Sequence, residues 1–374
     1  MNCERTGLEE EKVMDKVMPV RDVFARIILD PRGYPAVETE VLAGENTVGK
    51  ATASMGSRGS SSCAVLSASE ETVCGKETEW GKCMEEAECV SDYINSTAAE
   101  SLIGKNVFDQ ETVDRIISMS GERVRTGIQS GCRGLLALSL ASARVAAQVS
   151  AIPLFRYLGG IKVKKMPLPL VTLIDECPEC GRWLLAPIRE QADGEQQGTV
   201  QSGKYTDGLR DNLYMCAKIY HAVGKMIRER GFYTGIGDSG GWILPVAERE
   251  KTVRILEQSV RNAGYQTGRD VMTAEVSGQK QWERERGITK QTGLPNTVLI
   301  DVCRADTLTE LMEQVRRVRQ EGYCAAVGSS RPMTDPFSAD LAVACEADMI
   351  WAGAPCRGEN LAVYNQLLVI EEQI

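Results

Sequence analysis

The spacing of apolar residues changes along this chain, and each change marks a different kind of element. Across residues 25–41 two extended runs flank a Pro-Arg-Gly-Tyr-Pro turn. Val37, Thr39 and Val41 alternate there with Glu38 and Glu40, which predicts a hairpin. Residues 54–92 carry a Gly/Ser patch and then an acidic, cysteine-bearing segment of weak periodicity, and read as a mobile loop with irregular structure. Beyond them the period becomes helical: Asp109 is a candidate N-cap, with Val113, Ile116 and Ile117 on one face. Residues 131–150, GCRGLLALSLASARVAAQVS, are apolar nearly all round, so a helix here must be buried.

After Gly160 strands and helices alternate. Strands are predicted over 166–174, 183–188, 271–276, 297–302, 324–327 and 349–351, and helices over 209–230 and 247–262. A further helix opens at a capping box, Thr307-Leu-Thr-Glu310, and puts Leu308, Leu311, Met312, Val315 and Val318 on one face. Residues 189–211, polar and glycine-rich, read as a solvated insertion. The alternation argues for parallel strands wrapped by helices. Only 21 residues lie between Val276 and Val298, fewer than the ~30 of a single βαβ unit.

The 374 residues suit two domains. A formal charge of −9 supplies no basic field to hold nucleic acid or an anionic membrane. No apolar run approaches the ~20 residues that span a bilayer, and the N-terminus is too charged for a secretory signal, so a cytoplasmic protein is expected. The thirteen cysteines are odd in number and spread from Cys3 to Cys356, unlike a compact disulfide framework, and most are read as reduced. Cys177-Pro-Glu-Cys180 is the only CxxC; it reads as ordinary thiols, with half a zinc site or a redox pair as the sharper alternative.

Residues 348–372, DMIWAGAPCRGENLAVYNQLLVIEE, read as strand, loop and helix, and their GAPCR, YNQLL and IEE resemble the last barrel unit of the enolase (phosphopyruvate hydratase) family. The Pro31 to Pro35 turn is similar to the family's opening hairpin, SLIGKNVFDQETVDRI and the Ile152 to Gly160 phrase are similar to later parts of its first domain, and the likeness covers about residues 22–282 and 296–374. It implies a flexible N-terminus (1–20), an N-terminal α+β domain of hairpin or meander plus helices (21–160), and a C-terminal TIM-type (β/α) barrel (161–374). Enolases place two whole strand–helix units between the strands at 271–276 and 297–302, so the barrel is expected to be short of about two β/α units. It would then be open, six-stranded or completed by a partner chain.

The family removes a proton alpha to a carboxylate, which calls for two magnesium ions, a lysine base and a glutamate partner for the leaving hydroxyl. The matching positions here are altered. The base position is Asp301, the glutamate of the family's Gly-Asp-Glu-Gly-Gly is Ser239 in Gly237 to Gly241, a second active-site glutamate is Arg182, and the substrate-gripping lysine is Trp351. DECPECG lacks the family's loop histidine, and His221, the only histidine, matches a remote helix position and is expected to be packed. The first metal ligand aligns with Val276, Glu275 being one residue away, and the other two ligands fall in the missing units, so no magnesium pair is expected. Met55 stands where the mobile-loop serine would be, beside Ser54 and Ser57. Arg331 is the one plausible retained anion-binding arginine, with a solvated arginine as the plainer reading. These matches imply an enolase-like pseudoenzyme without cofactor, a binding or assembly partner that forms a homodimer or a mixed dimer with a true enolase. The alternatives are phosphopyruvate hydratase itself in glycolysis, a diverged lyase working through Asp301, Glu275 and Arg331 on a small anionic ligand, or a sensor using Cys177 and Cys180.

Overall fold

The computed structural model describes residues 17–55, 79–125, 134–176, 181–188, 208–246, 248–276 and 297–374. Its first sheet is antiparallel, in the order β1 (Val20–Leu29), β2 (Pro35–Ala43), β3 (Thr47–Ser54). The predicted hairpin is β1–β2, and its turn is closed by the Asp30 carboxylate, which accepts from the Arg32 and Tyr34 amides at 2.8 and 2.9 Å. β3 extends the hairpin into a meander.

Helices α1 (Glu79–Tyr93), α2 (Ala99–Leu102) and α4 (Leu135–Val149) pack on this sheet, and α3 (Gln110–Arg125) and α5 (Leu154–Gly159) pack on α4. The expectation of irregular structure through residue 92 is therefore corrected from Glu79 onward, while residues 56–78 lie outside the described residues. Asp109 caps α3 as predicted, accepting from the Thr112 amide at 3.0 Å, and hydrogen bonding from the Thr112 side chain and then from this amide holds its carboxyl below the ordinary range. α4 is buried nearly all round and lies across β2 and β3. At their closest approach stands Gly49: a Cβ there would meet the Ala141 carbonyl oxygen at 2.2 Å and Val145 Cγ2 at 2.6 Å. Gly49→Ala is expected to cost about 1–3 kcal/mol by overpacking, read as a lowered urea midpoint with an unchanged slope.

The second sheet has seven strands: β4 (Leu168–Glu176), β5 (Arg182–Pro187), β6 (Trp242–Ile243), β7 (Val271–Val276), β8 (Thr297–Asp301), β9 (Cys324–Gly328) and β10 (Met349–Gly353). Their order is β7-β5-β4-β10-β9-β8, with β6 beside the end of β4. Around them run α6 (Leu209–Glu229), α7 (Arg249–Asn262), α8 (Leu308–Gln320), α9 (Phe337–Ala344) and α10 (Gly358–Glu371). The all-parallel expectation needs correction at β5, which is antiparallel to both β4 and β7. Two antiparallel steps leave β7 running with β4, β10, β9 and β8.

One core packs between helices and sheets, and a second is the barrel interior. Leu168 and Leu170 of β4, Leu184 and Ala186 of β5, Ala274 of β7, Ala326 of β9, and Met349 and Trp351 of β10 make that interior, with Leu299 of β8 beside them. Alternation along each strand turns these residues to one side. The curled sheet is an incomplete barrel whose edge strands among the described residues are β7 and β8, and residues 277–296 join them outside the described part.

The two layers are tied by buried polar contacts. Asp114 on α3 accepts from the Thr309 amide (3.0 Å) and hydroxyl (2.6 Å) at the start of α8, from Ser139 Oγ (2.6 Å) and from Gln110 Nε2 (2.8 Å). Thr307 caps α8 as predicted, but Glu310 closes the box onto the Asp306 amide at 3.1 Å rather than onto Thr307. Arg144 on α4 forks onto Asp335 with two contacts of 2.6 Å.

Asp340 on α9 is 4% exposed, and burial pushes its carboxyl up to about 6, against the pull of nearby Arg144. The sign follows from the proton count. The native state holds this proton between the unfolded value near 4 and about 6, so the stabilisation is complete below that window and lost as pH rises through it. Asp340→Asn is expected to raise stability at pH 7.5 by about 2–3 kcal/mol and to flatten the fall between pH 4 and 6.5, as seen by denaturation at each pH. Among the described residues no helix is long and apolar enough to cross a membrane.

Candidate functional site

The C-terminal ends of the parallel strands form the barrel mouth, where a β/α scaffold presents its functional side chains. Register sets the row there: Asp301 of β8 pairs with Gly328 of β9, and Gly328 pairs with Trp351 of β10. Trp351 is 5% exposed, caps the interior cluster, and donates its indole N–H to Thr172 Oγ1 on β4 at 3.0 Å. An indole fully inside needs such an acceptor.

The Arg182 guanidinium lies over the Trp351 ring, with Cζ 5.2 Å from the centroid. Its Nε donates to Asp175 Oδ1 at 2.8 Å, and Nη2 makes an ion pair with the same oxygen at 2.8 Å. Asp175 stands near the end of β4, 5% exposed, and its other oxygen accepts from the Ser239 amide at 2.5 Å, while Ser239 Oγ is 3.2 Å from Oδ1. Thus Arg182 and Ser239 meet at one carboxylate, and Trp351 joins them through the Arg182 guanidinium. Sequence reasoning did not single out Asp175. The available signal was an acid at the C-terminal end of a barrel strand.

The Gly237 to Gly241 loop is the tip of a tight turn closed by the Gly237 amide on the Gly241 carbonyl at 2.8 Å. A Cβ on Gly237 would meet Asp175 Cβ and Oδ2 at 2.6 Å, so the glycine lets the loop lie against that carboxylate. Asn360 at the start of α10 holds the other side, donating to the Ser239 and Ala354 carbonyls at 3.0 and 3.2 Å.

Asp301 is not in this cluster by hydrogen bonding. Its carboxylate, 8% exposed by residue, accepts from the Cys303 and Ser330 amides at 3.1 Å each and from Arg304 Nε at 3.2 Å. It therefore ties the ends of β8 and β9 together. Burial, reinforced by the Asp301 charge, pushes the adjacent Cys303 thiol up to about 12, so this sulfur stays a neutral thiol at pH 7. Arg331 is corrected from the solvated reading: it is 5% exposed and donates to the Met55 carbonyl at 2.8 Å, while Ser54 Oγ donates to the Pro332 carbonyl at 2.9 Å. His221 is corrected too, for it is exposed on α6, edge-on to Tyr220. Cys177, Cys180 and Ser57 lie outside the described residues.

A magnesium pair needs several carboxylate oxygens free to converge. Glu275 on β7 is taken by Arg249 Nε at 2.5 Å, Asp301 by two amides and a guanidinium, and Asp175 by Arg182 and Ser239. Among the described residues no group of three or more His, Cys, Asp or Glu side chains is placed to hold a metal. Among the described residues the donors do not fit the pair.

The description "Enolase, N-terminal domain" matches residues 20–158, and "Enolase, C-terminal TIM barrel domain" matches residues 280–374. The first match covers the meander and α1 to α4, and the second holds β8 to β10 with their helices, including Asp301, Arg331 and Trp351. Residues 159–279, with Asp175, Arg182 and Ser239, lie between the two. Both matches fall in the family's own order on the meander and the barrel just described, and the chain belongs to the enolase family.

Proposed function

We propose that this chain is a pseudoenzyme of the enolase family, which uses the frame without dehydrating 2-phosphoglycerate and serves as a binding or assembly partner. Membership alone does not carry activity, because function lives in the site. The observation that supports the reading most is the Asp175–Arg182–Trp351 stack with Ser239: an indole stands where the resemblance implies a lysine, and a guanidinium where it implies a glutamate. These groups are not merely lost charges, since they satisfy one another. A substrate carboxylate or phosphate would have to compete with Asp175 for Arg182. Among the described residues the Asp301 carboxylate is committed to structural donors, which argues against it as a general base. The reading includes no resident cofactor, a cytoplasmic setting, and a homodimer or a mixed dimer with a true enolase.

The deciding measurement is the rate of 2-phosphoglycerate dehydration by the purified chain with magnesium, beside an enolase whose base lysine is alanine. The expected rate is at or below that control. A rate well above it sinks the proposal and leaves the lyase reading, with Asp301→Ala as the next variant. For the assembly, affinity purification from the chain's own cells is expected to recover either the chain alone as a dimer or an enolase subunit with it. Recovery of a monomer without either would count against the partner role.

A further inference from the structure

Away from the barrel mouth, α4, α5, α9 and α10 border an open cleft of about 340 Å³ that shares no lining residue with the mouth cluster. Cavities of this order hold small organic molecules. Its walls include Ile152, Leu154 and Phe155, and its polar groups include Gln148, Gln366 and the Asp340 carboxylate. Asp340 accepts from Gln366 Nε2 at 3.1 Å and from the Phe155 amide. Arg144 also lines the cleft, but its guanidinium forks onto Asp335 and donates to the Lys50 carbonyl at 2.6 Å. One guanidinium and two carboxylates leave one negative charge, and the carboxylate without a cation of its own is the one at the cleft.

We propose that this cleft binds a small organic cation, a primary amine or amidine on an apolar body, with its charge against Asp340 and its body along Ile152 and Leu154. An anion would meet the Asp340 charge with Arg144 already engaged. A neutral apolar ligand would fill the walls while further stripping water from the carboxylate, which is costly without a partner. The raised proton affinity of Asp340 agrees, because it shows an ion poorly solvated by its present neighbours. Nothing here depends on whether the barrel mouth is active.

The test uses the full chain at pH 7.5, above the Asp340 titration, with benzamidine as probe and benzamide and benzoate as its neutral and anionic counterparts of similar shape. Ligand-observed saturation-transfer NMR is expected to give a benzamidine affinity at least tenfold above either counterpart. Asp340→Asn, checked for folding by circular dichroism, is expected to remove that preference. Gln148→Trp at the exposed rim is expected to weaken all binding by narrowing the entrance. Equal response to the three probes, no response to benzamidine, or a preference that survives Asp340→Asn would each overturn the proposal.

Discussion

Arg182→Met is expected to lower the stability of the folded chain by about 3–5 kcal/mol, the range for removing one partner of a buried ion pair. The cost arises at Asp175, not at the lost arginine. The Asp175 side chain is 2% exposed, and without the guanidinium only the Ser239 amide and hydroxyl of its observed donors remain. A buried carboxylate in that state must be desolvated without compensation or take up a proton. The decisive contrast is the double variant Arg182→Met with Asp175→Asn, which removes both charges and should recover more than half of the loss. Urea unfolding of the four proteins of the cycle measures the coupling. A single-variant loss below about 1 kcal/mol would mean that solvent reaches Asp175 freely and that the stack is incidental.

Asp114→Ala is expected to cost about 3–4 kcal/mol, and its effect should be felt between the two layers. This carboxylate caps α8 from α3, taking the Thr309 amide and hydroxyl together with Ser139 Oγ and Gln110 Nε2. Truncation orphans an N-terminal amide of α8 and removes a negative charge favourable to that end of the helix dipole. Ser139 Oγ also accepts from the Leu308 amide at 3.0 Å, so the loss spreads to a second helix-end donor. Limited proteolysis under native conditions should then cut near the start of α8 faster than in the parent chain. An unchanged cleavage pattern with an unchanged urea midpoint would contradict this account.

Much of the frame was legible because it depends on local spacing. The face of α8 could be read from Leu308, Leu311, Val315 and Val318, all of which are buried. α1 escaped because its inward residues are Cys83, Ala87 and Val90, small or weakly apolar side chains among glutamates, whose spacing is helical but whose contrast is low. The reversal at β5 was hidden because a buried strand reads alike in both directions. The altered positions at the mouth were visible through the resemblance, but their mutual arrangement was not. Asp175 meets Ser239 across 64 residues, and Asp114 meets Thr309 across 195, separations at which local spacing says nothing.

The Arg182 to Trp351 stack couples the two positions. Trp351→Lys alone would set an ammonium against a guanidinium that now lies 5.2 Å from the ring centre. Arg182→Glu alone would set a second carboxylate against Asp175, which today receives that arginine at 2.8 Å. Each single substitution toward the charges that the resemblance implies would therefore create a like-charge pair at the mouth, where desolvation makes repulsion expensive. On the proposed reading the two positions are epistatic, and recovery of those charges would need Trp351→Lys and Arg182→Glu together.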